Sequence, residues 1–102
     1  MSIKKQFLKS KPVCKVTFQV PEEIGNSVQT AHVVGEFNDW NALATPMKKL
    51  KTGAFSKRLD LEQGREYQFR YLIDENNWQN DVDADKFVAT PFGDSKNSVI
   101  VL

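Results

Sequence analysis

The sequence predicts an all-β fold, an antiparallel sandwich of about seven strands, and three observations carry that expectation. Short runs alternate apolar and polar residues with a period of two. Clusters of Gly, Pro, Asn and Asp interrupt those runs roughly every 8–12 residues. No stretch holds the period of about 3.6 residues that an amphipathic helix requires.

Val13 to Val20 alternates cleanly, with Cys14, Val16, Phe18 and Val20 on one face and Lys15, Thr17 and Gln19 on the other. Pro21 and the Gly25-Asn26-Ser27 segment end it. A second strand is expected from about Val28 to Gly35, where the adjacent Val33 and Val34 leave open which face is inside. Gly35 to Pro46 reads as a long polar loop containing Trp40. Phe55 to Leu61 follows as a third strand, between turns at Lys51-Thr52-Gly53 and Gln63-Gly64. The fourth strand is the strongest signal. Tyr67, Phe69, Tyr71 and Ile73 share one face, and Gln68, Arg70 and Asp74 the other, with Leu72 the one apolar residue on the polar side. A second long loop, Glu75 to Asp85, carries Trp78. Weak strand character returns at Phe87-Val88-Ala89, and a last strand runs from Ser98 to Leu102.

The totals exclude several classes of function. With 102 residues, 40% of them hydrophobic, the chain is expected to form one domain around one core. A catalytic (β/α)₈ barrel needs roughly 200 residues or more. Fourteen basic residues against thirteen acidic ones leave a net charge of +1, without the basic excess of a nucleic-acid binder. The apolar runs are far shorter than the roughly 20 residues of a membrane-spanning helix, so no membrane partner is expected. Residues 1–12, MSIKKQFLKSKP, read as a basic N-terminal arm without the apolar stretch of a secretion signal, and residues 13–102 as the sandwich. Cys14 falls in an alternating strand and is expected to be a small buried hydrophobe. With no signal and no cysteine pair, the expected compartment is the cytoplasm.

Two potential sites fail on their chemistry. Asp81, Asp83 and Asp85 open like an EF-hand calcium loop, but Lys86 and Phe92 stand where Gly and Glu are required, so a solvated acidic turn is expected. His32, the single histidine, has no companions for a zinc site and reads as a strand surface residue. No cofactor is expected.

The two tryptophans are the unusual feature. Trp40 stands among Asn38, Asp39 and Asn41, and Trp78 among Asn76, Asn77, Gln79 and Asn80, outside the runs that build the core. An indole offers a flat apolar face and one N–H donor. A pyranose offers an apolar face of C–H groups and a rim of hydroxyls. Stacking the two faces removes apolar area from water, while amides and a guanidinium bond the rim. Composition alone leaves open whether each tryptophan serves as such a platform or folds back to cap an end of the sandwich.

The segment Val34-Gly35-Glu36-Phe37-Asn38-Asp39-Trp40, with Pro46-Met47 soon after, resembles the opening of carbohydrate-binding module family 48. This is the isoamylase N-terminal, or early-set, domain, and it includes the glycogen-binding domain of the AMP-activated protein kinase β subunit. The likeness continues through Phe55 to Leu61 with Gly64, and through Tyr67-Gln68-Phe69-Arg70-Tyr71-Leu72-Ile73-Asp74 with Trp78. It ends with Asn80-Asp81, Pro91-Phe92-Gly93 and Asn97-Ser98-Val99-Ile100. It covers the chain from about Val13 onward.

The resemblance implies an immunoglobulin-like sandwich that binds α-glucan polysaccharide or malto-oligosaccharide without being an enzyme. In the family's hydrolases and branching enzymes, including those of glycoside hydrolase family 13, the catalytic carboxylates lie on a separate barrel. It implies a sugar site at Trp40, Trp78, Arg70 and Asn97, with Ser95 nearby and Phe92 as an added apolar contact. Strand parity independently points Arg70 away from the Tyr67–Phe69–Tyr71 face. Arginine stands where the kinase domain has lysine, which keeps the charge and changes the donor geometry. The alternative expectation is a module of the same fold that docks on a glucan-metabolising enzyme and binds no sugar. Exposed tryptophans facing one groove favour the first; buried tryptophans or a large apolar patch elsewhere favour the second.

Overall fold

The alternation of Val13 to Val20 forms a strand whose even residues are fully buried and whose odd residues are half-buried. In the computed structural model, which describes residues 1–90 and 95–102, this strand is one of nine. The strands are β1 (Ser2–Phe7), β2 (Val13–Val20), β3 (Ala31–Gly35), β4 (Lys48–Lys49), β5 (Phe55–Glu62), β6 (Glu66–Ile73), β7 (Asn77–Gln79), β8 (Lys86–Ala89) and β9 (Lys96–Val101). A one-turn helix, Glu22–Gly25, follows β2, and a 3₁₀ turn, Glu36–Asn38, follows β3.

All pairings are antiparallel and make two sheets. One runs β1-β2-β5-β4, the other β3-β6-β9-β8, with β7 also paired to β6. The orders β1-β2-β5-β4 and β3-β6-β9 match the two sheets of a constant-type immunoglobulin sandwich. The short β7 and β8 are additions within the connection from β6 to β9. Against the strands read from the sequence, β1, β4 and β7 are the additions, while β8 covers the weak strand expected at Phe87-Val88-Ala89.

The core forms where the two inner faces meet. Phe18 of β2 sits edge-on to Phe69 and Tyr71 of β6, with ring centroids 5.1 and 6.4 Å away. Phe37, from the 3₁₀ turn, closes one end at 5.6 Å from Phe18. Cys14 is buried in this cluster as expected. Val33 joins the core, while Val34, also fully buried, points to the opposite face of the same sheet. Among the described residues no helix is long and apolar enough to cross a membrane.

The basic segment expected as an arm belongs instead to a sheet. Ser2–Phe7 pairs along β2, from Ser2↔Gln19 to Phe7↔Cys14. An edge strand is held by backbone hydrogen bonds and needs little apolar alternation, and only Met1 and Ile3 pack on the core. Lys5 anchors β1 across the sandwich. Its Nζ donates to Asp85 Oδ2 at 2.6 Å and to the Val101 carbonyl at 3.1 Å.

The acidic turn after β7 is not wholly solvated either. Asp81 is fully buried. Its Oδ2 accepts the Tyr71 hydroxyl at 2.7 Å and its Oδ1 accepts the Asp83 N–H at 2.8 Å. Its own N–H donates to Ser98 Oγ at 2.9 Å, and Asn80 Oδ1 accepts both the N–H and the hydroxyl of Ser98. Burial, followed by the charge and hydrogen bond of Asp81, pushes the Tyr71 phenol far above its usual range and keeps it a neutral donor. Spacing hides this role because the D-x-D-x-D run looks uniformly polar. Only the fold turns its first member inward.

Two outcomes follow. Tyr71→Phe removes the donor and leaves Asp81 Oδ2 buried without it, so the unfolding free energy falls by about 2 kcal/mol in urea titration. At Asp85, partial burial acts to raise the pKa. The Lys5 hydrogen bond, the Val101 N–H and the Lys5 charge together outweigh it and hold the carboxyl below its ordinary value. That contribution to stability is therefore present above pH about 4. It is lost as the pH falls through the lower folded value. Melting temperatures of Asp85→Asn between pH 7 and pH 2 fall less steeply at the acid end than those of the parent chain.

Candidate functional site

Strand β6 has two working faces. Tyr67, Phe69, Tyr71 and Ile73 enter the core, so Gln68, Arg70 and Leu72 stand on the outside of the sheet. The register sets their neighbours. Val34 of β3 lies opposite Arg70, Val99 of β9 opposite Gln68, and Leu72 lies between His32 and Trp78. Arg70 is half-buried on this outer face, as strand parity predicts. Its Nε donates to Asn97 Oδ1 at 2.7 Å, and Asn97 Nδ2 donates to Gln68 Oε1 at 3.0 Å. This chain orients the Asn97 amide and, through it, the plane of the guanidinium.

Trp40 is delivered by the turn after β3, and each residue of Gly35 to Trp40 has a physical task. Gly35 pairs with Phe69, and a Cβ there would collide with the Gln68 carbonyl oxygen and come within 2.7 Å of Phe69 Cβ. Glu36 Oε1 accepts the Gln68 N–H at 2.6 Å, and Phe37 inserts into the aromatic core. Asn38 ties the turn down. Its Oδ1 accepts the Gly35 N–H, and its Nδ2 donates to the Val33 carbonyl and Thr45 Oγ1 at 3.0 and 2.9 Å. Asp39 and Trp40 then adopt left-handed conformations, φ 55° and 57°. These cost about 1–2 kcal/mol each for L-residues. The Trp40 N–H returns to the Gly35 carbonyl at 2.9 Å, and the indole is left 40% exposed.

Trp78 comes from the opposite side. The sequence places it in a loop, whereas it stands on β7, paired to Leu72 in a hairpin with β6. Three residues surrounded by amides show no alternation, so this strand is invisible in the sequence. The hairpin turns through Asp74 and Glu75, both left-handed, and Asp74 Oδ1 accepts the N–H groups of Gln29 and Thr30. Trp78 is 46% exposed.

These elements enclose an open groove of about 470 Å³ lined by Trp40, Gln68, Arg70, Trp78, Thr90, Ser95 and Asn97. Trp40, Trp78, Arg70, Asn97 and Ser95, all named from the sequence, thus come together in one place. Phe92 lies outside the described residues. Gln68 and Thr90 were not singled out by sequence. Gln68 could have been, since it precedes Arg70 by two residues and shares its face. Thr90, whose N–H donates to the Ser95 carbonyl, carries no comparable signal.

Two expectations change. Some of the amides flanking the tryptophans are engaged within the fold. Asn38 staples the turn, Asn41 Oδ1 accepts the Leu43 N–H, and Asn80 braces Ser98 and Lys96. The amides of the groove are Gln68 and Asn97. His32 is buried, not superficial, because the outer face of its strand is covered beside Leu72 and Pro46, and its Nδ1 has no partner among the described residues. Among the described residues, no three His, Cys, Asp or Glu side chains are grouped to hold a metal ion.

Gly35→Ala, by forcing a methyl against backbone, lowers the unfolding free energy by about 1–3 kcal/mol. It also shifts the tryptophan emission, because Gly35 positions Trp40. No protein-family model matches the chain, and no curated protein matches it either.

Proposed function

We propose that the protein is a non-catalytic α-glucan-binding module, with a malto-oligosaccharide or a glycogen-like chain lying across Trp40 and Trp78. The observation that carries this reading is the convergence of two exposed indoles, from separate elements, on one groove with a prepared arginine–amide floor. A sandwich has no need to hold two tryptophans half in water. Each indole can cover the C–H face of a pyranose, and Arg70, Asn97 and Gln68 supply donors and acceptors for its hydroxyls. The resemblance to carbohydrate-binding module family 48 supports the same ligand class and the same residues. Affinity for a short chain is expected to be weak, because an open groove immobilises a flexible ligand for modest buried area.

Titration of intrinsic tryptophan fluorescence with maltoheptaose and β-cyclodextrin, with cellohexaose as control, tests this. A saturable change with the α-glucans alone is expected. Trp40→Ala and Trp78→Ala should each weaken binding by at least about tenfold, or about 1.4 kcal/mol. That loss corresponds to about 60 Å² of apolar contact at about 25 cal/mol per Å². No response up to millimolar ligand in the folded protein would overturn the reading and leave a docking module of the same fold.

A further inference from the structure

Arg70 differs from three other cations whose contacts define the fold. Lys5, Arg65 and Lys86 each meet a carboxylate, from Asp85, Glu62 and Glu66. Arg70, half-buried on the groove floor, forms no ion pair with a described residue. Its one hydrogen-bond partner among them is the neutral amide oxygen of Asn97. That amide is committed by its bond to Gln68 Oε1, which keeps the oxygen toward the guanidinium. The Nε is thus occupied and the plane fixed, while both terminal nitrogens have no partner among the described residues. The described lining of the groove contains no carboxylate. A half-buried cation with no carboxylate partner among the described residues gains more from an anion than from a hydroxyl. A guanidinium held by its Nε presents the fork that pairs with two oxygens of a phosphate.

We propose that this groove prefers α-glucan chains carrying a phosphate monoester, with the phosphate paired to Arg70 while neighbouring glucosyl units stack on Trp40 and Trp78. This rests on the glucan reading above and adds the anionic substituent to it. A hydroxyl offers the guanidinium one neutral oxygen, whereas a phosphate offers two charged ones to its fork, and we expect a preference of about tenfold, or about 1.4 kcal/mol.

The test compares four probes by calorimetry at low and high salt: maltoheptaose, maltoheptaose bearing one 6-phosphate, glucose 6-phosphate and inorganic phosphate. The phosphorylated heptaose should bind about tenfold more tightly than the neutral one at low salt. High salt should shrink that ratio. Arg70→Gln should bring the ratio close to one. Arg70→Lys, which retains charge without the fork, should leave an intermediate ratio. Asn97→Asp, which places a carboxylate against the guanidinium, should also abolish the preference. Reading a ratio within each folded variant separates the effect from any general loss of binding. Equal affinity for the two heptaoses would overturn the proposal and leave the neutral-glucan reading standing. Inorganic phosphate or glucose 6-phosphate binding as tightly as the phosphorylated heptaose would also overturn it, by revealing an anion site without a glucan. Failure of both heptaoses would remove it together with the reading it rests on.

Discussion

The period-two alternation of β6 is the constraint on which the rest depends. One strand supplies Tyr67, Phe69, Tyr71 and Ile73 to the core and Gln68 and Arg70 to the groove. A slip of one residue would exchange those sets, exposing four large apolar side chains and burying a guanidinium. Stability and site geometry are therefore one property of this strand. The core aromatics enforce the register, and the register presents Arg70.

The supports around β6 follow the same logic of fixing the backbone before presenting a side chain. Asn38 holds the turn before Trp40, Asp74 holds the turn before Trp78, and the Tyr71–Asp81–Ser98–Asn80 network pins the segment between β7 and β9. Each uses a side-chain oxygen or amide to satisfy backbone groups where regular pairing stops. The left-handed residues Asp39, Trp40, Asp74 and Glu75 cluster at the two turns that present the indoles. Conformational cost is concentrated next to the groove and opposed by these local bonds.

What could be read in the sequence was what repeats with a period. Val13 to Val20 and Tyr67 to Ile73 declare their faces residue by residue, and the position of Arg70 followed from counting. Features set by contact between distant segments were not legible. Ser2–Phe7 joins a sheet through its backbone, which leaves little trace in side-chain pattern. Trp78 sits on a strand too short to alternate. Asp81 shares its spacing with Asp83 and Asp85, yet it alone is buried, because Tyr71 and Ser98 are waiting for it. His32 is buried because the outer face beside it is occupied by Leu72, which the alternation showed as a lone apolar residue on a polar face. That lone residue was the available hint that part of this face is covered.

The segment after Ala44 connects the two sheets at one side. Val33 N–H bonds to the Thr45 carbonyl, Met47 N–H bonds to the Ala31 carbonyl, and Lys48–Lys49 then pairs with β5. The free edge of β3 is thereby occupied. Of the other sheet edges, β4 and β7 are two and three residues long, β8 is four residues long and begins with Lys86, and β1 carries Lys4 and Lys5. Unpaired strand edges are where folded β-proteins recruit further chains into aggregates, and short, lysine-bearing or covered edges resist it. Copies held close together, as the proposed binding to a glucan polymer would hold them, are thereby kept from zipping together edge to edge.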